Sequence, residues 1–201
     1  GNYKDDRLDG KQTDWHENSQ KWSEINYKDG KLDGDYIVWD QNEKVKIKRS
    51  YKNGQIRYEE NYKDDKKDGK WTYWYENGQK RVEGNYTNGK GNGKWTEWNK
   101  HGKIVYEGNY KDGKEGRATR YWYFSSYADS PEDGKKKRKE ENYFNGMTDG
   151  KQISWYENGQ KEKEGNYKDG KKVGKFISWD KSGQIVWERN YKDGKCISGD
   201  C

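Results

Sequence analysis

Two histidines, 36 acidic residues and two cysteines are the groups through which this chain could act on bonds or bind metals. Acid–base work by a histidine needs a nucleophile, a carboxylate or a metal converging on the ring. His16 and His101 fall near hairpin turns of different repeats, with no nucleophile or metal-ligand partner close in sequence. A repetitive sequence delivers one kind of group at regular intervals rather than complementary groups at one point, so no enzymatic activity is expected. Glycoside hydrolysis by paired carboxylates is the chemistry it comes nearest to. Asp-Gly pairs, as in Lys168-Asp169-Gly170-Lys171, could be read as calcium ligands. Each offers one carboxylate between lysines, far short of the six to eight oxygens that calcium requires, and turn chemistry accounts for them. No cofactor or metal is expected. Cys196 and Cys201 are spaced to close a small terminal disulfide or to tie one chain to another, and two thiols do not make a zinc site.

A second candidate site is aromatic. Trp15, Trp39, Trp74, Trp98, Trp155 and Trp179 each stand five residues after a glycine: Gly10, Gly34, Gly69, Gly93, Gly150 and Gly174. If the repeats stack in register these rings form a ladder, and a flat ring with an apolar face and a polar edge could hold an extended glycan or peptide. The competing reading is that the ladder is the internal packing of the fold.

These residues are positioned by a repeat. The tyrosine of an Asn-Tyr-Lys-Asp-Gly-like turn recurs at Tyr3, Tyr27, Tyr51, Tyr62, Tyr86, Tyr110, Tyr143, Tyr167 and Tyr191, with spacings of 24, 24, 11, 24, 24, 33, 24 and 24 residues. Fixed periods of this length signal stacked supersecondary units. Aromatic and β-branched runs flank Asn-Gly-like pairs at Asn53-Gly54, Asn77-Gly78, His101-Gly102, Asn158-Gly159 and Ser182-Gly183, which predicts hairpins closed by type I′ turns. A second turn series, from Asp29-Gly30 to Asp193-Gly194, reverses the chain between units. Pairing across Asn77-Gly78 sets Tyr75 against Lys80, Tyr73 against Val82 and Trp71 against Gly84, with the glycine leaving room for the tryptophan ring. The opposite face carries Thr72, Trp74, Arg81 and Glu83.

The predicted fold is all-β: one domain over residues 1–201, an elongated array of about eight stacked antiparallel hairpins as a single-layer twisted sheet or flattened solenoid. Two interruptions break it. The short interval at residues 51–62 reads as a half-unit fusion with a kink or register change. The long interval reads as a protruding loop at residues 125–134, carrying the one proline. In the fifth copy Tyr121 takes the ladder place, with Trp122 beside it.

Only 27% of residues are hydrophobic and 39% are charged, yet 32 aromatic residues (11 Trp, 18 Tyr, 3 Phe) argue against disorder. The charges alternate in sign, and the net +6 speaks to solubility before binding. Basic runs occur at residues 44–49 and 135–139, too little to make nucleic acid a favoured partner. No apolar run approaches the roughly 18 residues of a membrane span, and no signal sequence precedes the first repeat. The chain as given is expected to be soluble. It begins in repeat phase, as an excised piece of a longer array would.

The unit carried by Gly84-Asn85-Tyr86, Gly93-Lys94-Trp95, Trp98, Glu157-Asn158-Gly159-Gln160-Lys161 and Gly165-Asn166-Tyr167-Lys168-Asp169-Gly170 resembles the MORN repeat, in the bacterial variant of YwqK-like antitoxin proteins. The resemblance implies stacked hairpins, with roles in protein binding, membrane-surface association or toxin neutralisation, and it transfers no active site. A scaffold for protein–protein interaction or assembly is therefore expected. An extracellular filament or adhesin subunit and a toxin-neutralising binder are the alternatives. Partners would be another protein or further copies meeting at uncapped ends, with a glycan as a further candidate ligand. An insertion surface formed by Tyr127, Pro131, Lys135, Lys136, Lys137, Arg138 and Lys139 is the expected contact. The setting favoured is extracellular or cell-surface, with the cytoplasm as the alternative.

Overall fold

The computed structural model describes residues 2–124 and 136–201, so the predicted loop, with Tyr127, Pro131 and Lys135, lies outside the described residues. The chain divides into two compact units, Gly1–Trp95 and Thr96–Cys201. Among the described residues every regular element is a β-strand.

The first unit opens with a small separate hairpin, β1 (Tyr3–Lys4) and β2 (Arg7–Leu8). Then come β3 (Gly10–Trp15), β4 (Lys21–Lys28), β5 (Lys31–Trp39), β6 (Val45–Lys52), β7 (Gln55–Lys63), β8 (Lys66–Trp74), β9 (Lys80–Thr87) and β10 (Lys90–Gly91), with β11 (Gly93–Trp98) running across the boundary. From β3 to β9 each strand pairs antiparallel with the next. The second unit continues through β12 (Ile104–Lys111), β13 (Lys114–Tyr123), β14 (Lys137–Phe144), β15 (Met147–Trp155), β16 (Lys161–Lys168), β17 (Lys171–Trp179), β18 (Ile185–Lys192) and β19 (Lys195–Gly199), again paired in sequence order.

Two kinds of turn alternate. The Asp-Gly series is type I′: Asp169 and Gly170 have φ of 46° and 77°, and Lys168 faces Lys171 across them. The other series is not I′, contrary to the sequence reading. At residues 75–79 the Tyr75 N–H donates to the Gln79 carbonyl (2.8 Å) and the Gly78 N–H to the Tyr75 carbonyl (3.0 Å). Of Asn77 and Gly78 only the glycine has positive φ, so this is a type I turn followed by one left-handed residue. Because Tyr75 closes that turn it cannot face Lys80. Trp74 faces Lys80 instead, with a bulge at Arg81, while Trp71–Gly84 and Tyr73–Val82 pair as predicted. Asn53-Gly54, by contrast, is a genuine I′ turn with φ of 50° and 82°.

The fusion at residues 51–62 resolves into strand β7 between two successive I′ turns, at Asn53-Gly54 and at Asp64-Asp65 (φ 49° and 58°). β7 pairs with β6 and with β8, so no partner is missing. The physical consequence is one of parity. A full repeat adds two strands and returns the chain to the same rim of the sheet, whereas this half-repeat adds one. Within the first unit the five-residue turns therefore lie on one rim before β7 (residues 16–20 and 40–44) and on the opposite rim after it (residues 75–79). Ion pairs across turns confirm the exchange: Lys44, in a five-residue turn, pairs with Asp64 of an I′ turn at 2.9 Å.

Each unit is held by edge-to-face rings. In the first, Tyr86 lies 4.8 Å from Trp71 and 5.2 Å from Trp95; in the second, Phe176 lies 5.5 Å from Tyr167 and 5.0 Å from Tyr191. Glycines seat these rings, though not the pair expected from sequence. A Cβ on Gly84 would come within 2.2 Å of the Trp95 ring, so Gly84 seats the tryptophan of the following hairpin rather than Trp71. Gly165 seats Phe176 in the same way. On the opposite face Glu24, Glu83 and Glu164 each sit between two lysines, as in Lys70–Glu83 (3.0 Å) and Lys80–Glu83 (2.6 Å), and Thr72, which pairs with Glu83 across the strands, is buried. The repeat's asparagine is the bulge residue: Asn61 donates to the Lys70 carbonyl (2.7 Å) and Asn142 to the Lys151 carbonyl (2.6 Å).

Candidate functional site

The rim of five-residue turns carries the ladder tryptophans, each closing its strand. Trp15 and Trp39 stand on one rim of the first unit and Trp74 on the opposite one, so the ladder read from the sequence is broken at β7. In the second unit Trp98, Trp155 and Trp179 share a rim, because the strands between their turns are even in number. Trp15 is exposed and the other five are half-buried. A lysine from the preceding hairpin lies over several of the rings: Lys21 over Trp39 (5.8 Å), Lys137 over Trp155 (5.5 Å) and Lys161 over Trp179 (5.7 Å).

The fifth hairpin departs from the rest. Against β12, Tyr106 faces Arg120 as Ser23 faces Val38 elsewhere, which puts Tyr121 next in the ladder place, as the sequence suggests. Against β14, Tyr123 faces Lys137 as Trp155 faces Lys161, so on that side Tyr123 holds the place. β13 thus carries two register frames, and its last residues with Phe124 give four consecutive aromatics. The cations of the basic run stack on them: Lys137 over Tyr121 (4.7 Å), Arg138 over Phe124 (5.9 Å) and Lys139 over Trp122 (5.5 Å). Lys137 and Lys139 also pair with Glu140 and Glu141. Of the expected insertion surface, the described part is therefore a strand laid on rings rather than a loop.

Three open clefts lie along the rims that carry the five-residue turns, each lined in part by the bulge residue that follows such a turn or its counterpart in β14: Trp22 and Lys46, Val105, and Arg138 and Glu162. In the first unit one of about 460 Å³ is lined by His16, Trp22, Trp39 and Lys46. In the second unit one of about 670 Å³ is lined by Glu97, His101, Val105, Tyr121, Trp122 and Tyr123. A neighbour of about 680 Å³ is lined by Tyr123, Phe124, Arg138, Trp155, Tyr156 and Glu157. The last two share Tyr123 and Phe124, so the end of β13 lines both, and together they are called the groove of the second unit.

Much of the polarity of these clefts is occupied by the fold. The side chain of Asn99 accepts the His101 and Lys103 N–H groups (3.0 Å each), and that of Asn158 accepts the Gln160 N–H (3.0 Å). The Asn42 and Lys44 N–H groups hold the Asp40 carboxyl below its ordinary range. In the cleft that holds His101, Tyr106 donates to Glu115 (2.5 Å), and burial followed by that bond pushes the phenol up. Arg120 approaches Glu115 at 3.8 Å. What the clefts offer outward is rings, Trp122 among them at 39% exposed, together with charges of both signs: Glu97 and Lys100 in one, Glu157, Glu162 and Lys181 in the other.

His16 and His101 line clefts of different units, and each Nε2 is shielded from solvent without a hydrogen-bond partner. Among the described residues no group of three or more His, Cys, Asp or Glu could hold a metal ion. At the Asp169-Gly170 turn the Asp169 N–H donates to the carboxylate of Asp149 in β15 (3.4 Å), which also accepts from Lys168 (2.7 Å), and Lys168 holds the Asp149 carboxyl below its usual range. Cys196 and Cys201 are joined, with Cα atoms 5.9 Å apart. Sequence reasoning missed Tyr123, Phe124, Tyr156 and Glu97. The run of aromatics at residues 121–124 was the available signal.

The family described as MORN repeat variant matches residues 8–29, 32–53, 46–64, 67–88, 92–112 and 148–169, well over half of the chain. No curated protein matches. Among solved structures, a crystal structure of TcdB2-TccC3-Cdc42 aligns with 92% of this chain at 10% identity and a TM-score of 0.23. The chain spans 14% of that one's length, and a likeness so low carries no argument.

Proposed function

We propose that this chain, which belongs to the MORN repeat variant family, is a non-enzymatic scaffold that binds a protein partner through the groove of its second unit. MORN repeats are commonly protein- or membrane-binding scaffolds. No helix among the described residues is long and apolar enough to cross a membrane. The observation that supports the groove is recurrence with variation. Clefts lie along the rims of the five-residue turns, and where β13 breaks the repeat frame it lines one of them with Tyr121, Trp122, Tyr123 and Phe124 and its neighbour with the last two. Aromatic anchors in partly closed pockets are what protein interfaces use for most of their binding energy. Affinity capture with the intact chain and with a Trp122→Ser, Tyr156→Ser variant tests the reading. A partner retained by the parent and lost by the variant, with the variant still folded, is the expected result. Equal retention would remove the groove from the account.

Self-assembly is a second reading. It is supported by Ile185, Val186 and Ile197, which are 58%, 59% and 62% exposed in the last two strands. Light scattering showing only a 24.0 kDa species at high concentration would end it. A filament, adhesin or toxin-neutralising role would be a narrower form of one of these two readings. The Cys196–Cys201 bond fits an oxidising, extracellular setting.

A further inference from the structure

We infer that the second unit has a further site on the face that carries its edge-to-face rings, a cleft over β14–β17 that receives a tryptophan side chain of a protein partner. It does not depend on the rim groove, so either can fail alone. Two equivalent hairpins reveal it. In the first unit Glu60 on β7 faces Trp71 on β8, Tyr58 faces Tyr73, and Trp71 in turn faces Gly84 on β9. In the second unit Glu141 on β14 faces Gln152 on β15, Lys139 faces Ser154, and Gln152 faces Gly165 on β16. Register therefore gives Lys139, Gln152 and Ser154 the places of Tyr58, Trp71 and Tyr73.

The exchange takes three rings out of a continuous stack. In the first unit Tyr58 lies 5.6 Å from Tyr73, Tyr73 lies 5.5 Å from Trp71, Trp71 lies 4.8 Å from Tyr86, and Tyr86 lies 5.2 Å from Trp95. In the second unit the matching stack begins at Tyr167, the counterpart of Tyr86, which meets Phe176 at 5.5 Å. The acid between the strands is satisfied either way. Glu60 accepts from Tyr62 (2.5 Å) and Tyr73 (2.6 Å), whereas Glu141 accepts from Tyr143 (2.5 Å) and pairs with Lys139. A cleft of about 330 Å³ lies at the exchanged positions, lined by Gln152, Ser154, Gly165, Tyr167, Phe176 and Trp187.

The walls choose the guest. A ring laid against Tyr167 restores the edge-to-face contact that Trp71 makes with Tyr86. The Gln152 amide is fixed by donating from Nε2 to the Asn142 carbonyl (2.9 Å), and its Oε1 is buried without a hydrogen-bond partner. An indole N–H supplies a donor for such an acceptor, and a benzyl ring does not. Charge asks for no cation, because the two carboxylates of the lining are already held, Glu141 by Lys139 and Glu164 by Lys151 and Lys161. Of the remaining lysines, Lys172 lies over Phe176 (5.2 Å) and Tyr191 (4.7 Å). Lys163 has no ion pair among the described residues and can meet a main-chain carbonyl beside the guest ring, which favours a side chain on a peptide over free indole.

The probe is N-acetyltryptophanamide, titrated into the intact chain with carbon-13 in its three phenylalanine rings, Phe124, Phe144 and Phe176. Saturable binding with a dissociation constant on the order of 1 mM is expected for a single ring, with the Phe176 signal shifting and that of Phe144 unmoved. Gln152→Trp with Ser154→Tyr, the pair that β8 carries, should weaken binding about tenfold or more while circular dichroism is unchanged. Ser154→Tyr alone should act in the same direction if the double variant does not fold. The inference is overturned if Phe176 does not shift saturably up to the solubility limit of the probe, or if Phe124 shifts in its place. Equal affinity for N-acetylphenylalaninamide, tighter binding of free indole, or undiminished binding by a folded Ser154→Tyr or double variant would overturn it as well.

Discussion

Replacing Gly165 by alanine puts a methyl group 2.2 Å from Cδ1 and Cε1 of Phe176, where ordinary contact begins at 3.4 Å. The ring must retreat by the difference, 1.2 Å. It has little room to do so, being 7% exposed and wedged edge-to-face between Tyr167 and Tyr191. Overpacking of this kind costs about 1–3 kcal/mol. Lifting half of an aromatic surface of about 200 Å² into water adds about 2.5 kcal/mol, so a loss of roughly 3.5–5.5 kcal/mol is expected. Gly165 does not have positive φ, and alanine therefore carries no backbone penalty of its own. The effect should vanish when the ring does: in a Phe176→Ala background, Gly165→Ala should cost under about 0.5 kcal/mol, a coupling of about 2 kcal/mol or more. Urea unfolding of the four chains of this cycle, followed by circular dichroism and tryptophan fluorescence, measures it. Equal costs in the two backgrounds would refute the glycine-seat explanation.

Glu43 has φ of 60° at the turn position that Gly78, Gly102, Gly159 and Gly183 occupy elsewhere. Glu43→Gly should therefore raise stability by about 1 kcal/mol in thermal unfolding. Removing the bulge cap by Asn142→Ala, which deletes the 2.6 Å bond to the Lys151 carbonyl, should cost about 1 kcal/mol in the same assay. The carboxyls of Glu24, Glu83 and Glu164 are held below the ordinary value of 4.5. For Glu24 the hydrogen bond from Lys11 leads; for the other two the paired lysines outweigh burial, which acts the other way. A lowered folded value means that the contribution is complete above the unfolded pKa and disappears as pH falls through the folded one. Melting temperature should accordingly drop below about pH 4.5, and a triple Glu→Gln variant should flatten that limb. Reducing Cys196–Cys201 should release β19 at a cost of about 2 kcal/mol, seen as faster amide exchange confined to the last strands.

The repeat was legible because turn chemistry is local. Asp and Asn before glycine in the 169–170 series tolerate left-handed φ, and the structure uses them so. The five-residue turns were misread because Asn77-Gly78 is compatible with either geometry, and what decides is the Tyr75–Gln79 bond, invisible in a dipeptide. The broken ladder was present in the 11-residue interval as an odd strand, a parity that periodicity of residue types does not show. Gly84 was rightly taken to make room for a ring, yet the ring belongs to the next hairpin, because neighbours in a sheet are set by pairing between hairpins as well as within them. The groove was least legible of all. The basic run at residues 137–139 reads as solvated charge, and only the register of β13 against β14 brings it over Tyr121, Trp122 and Phe124.

The central claim is that a protein partner sits on the turn-and-tryptophan rim of the second unit. Site-specific photo-crosslinking reads this most directly, with the reactive side chain placed at Trp122 or Tyr156 on that rim and at Asp112 or Asp169 on the rim of two-residue turns. Adducts to the same partner from the first pair of positions, and none from the second, are predicted. Adducts from Asp112 or Asp169 in place of Trp122 and Tyr156 would contradict the account.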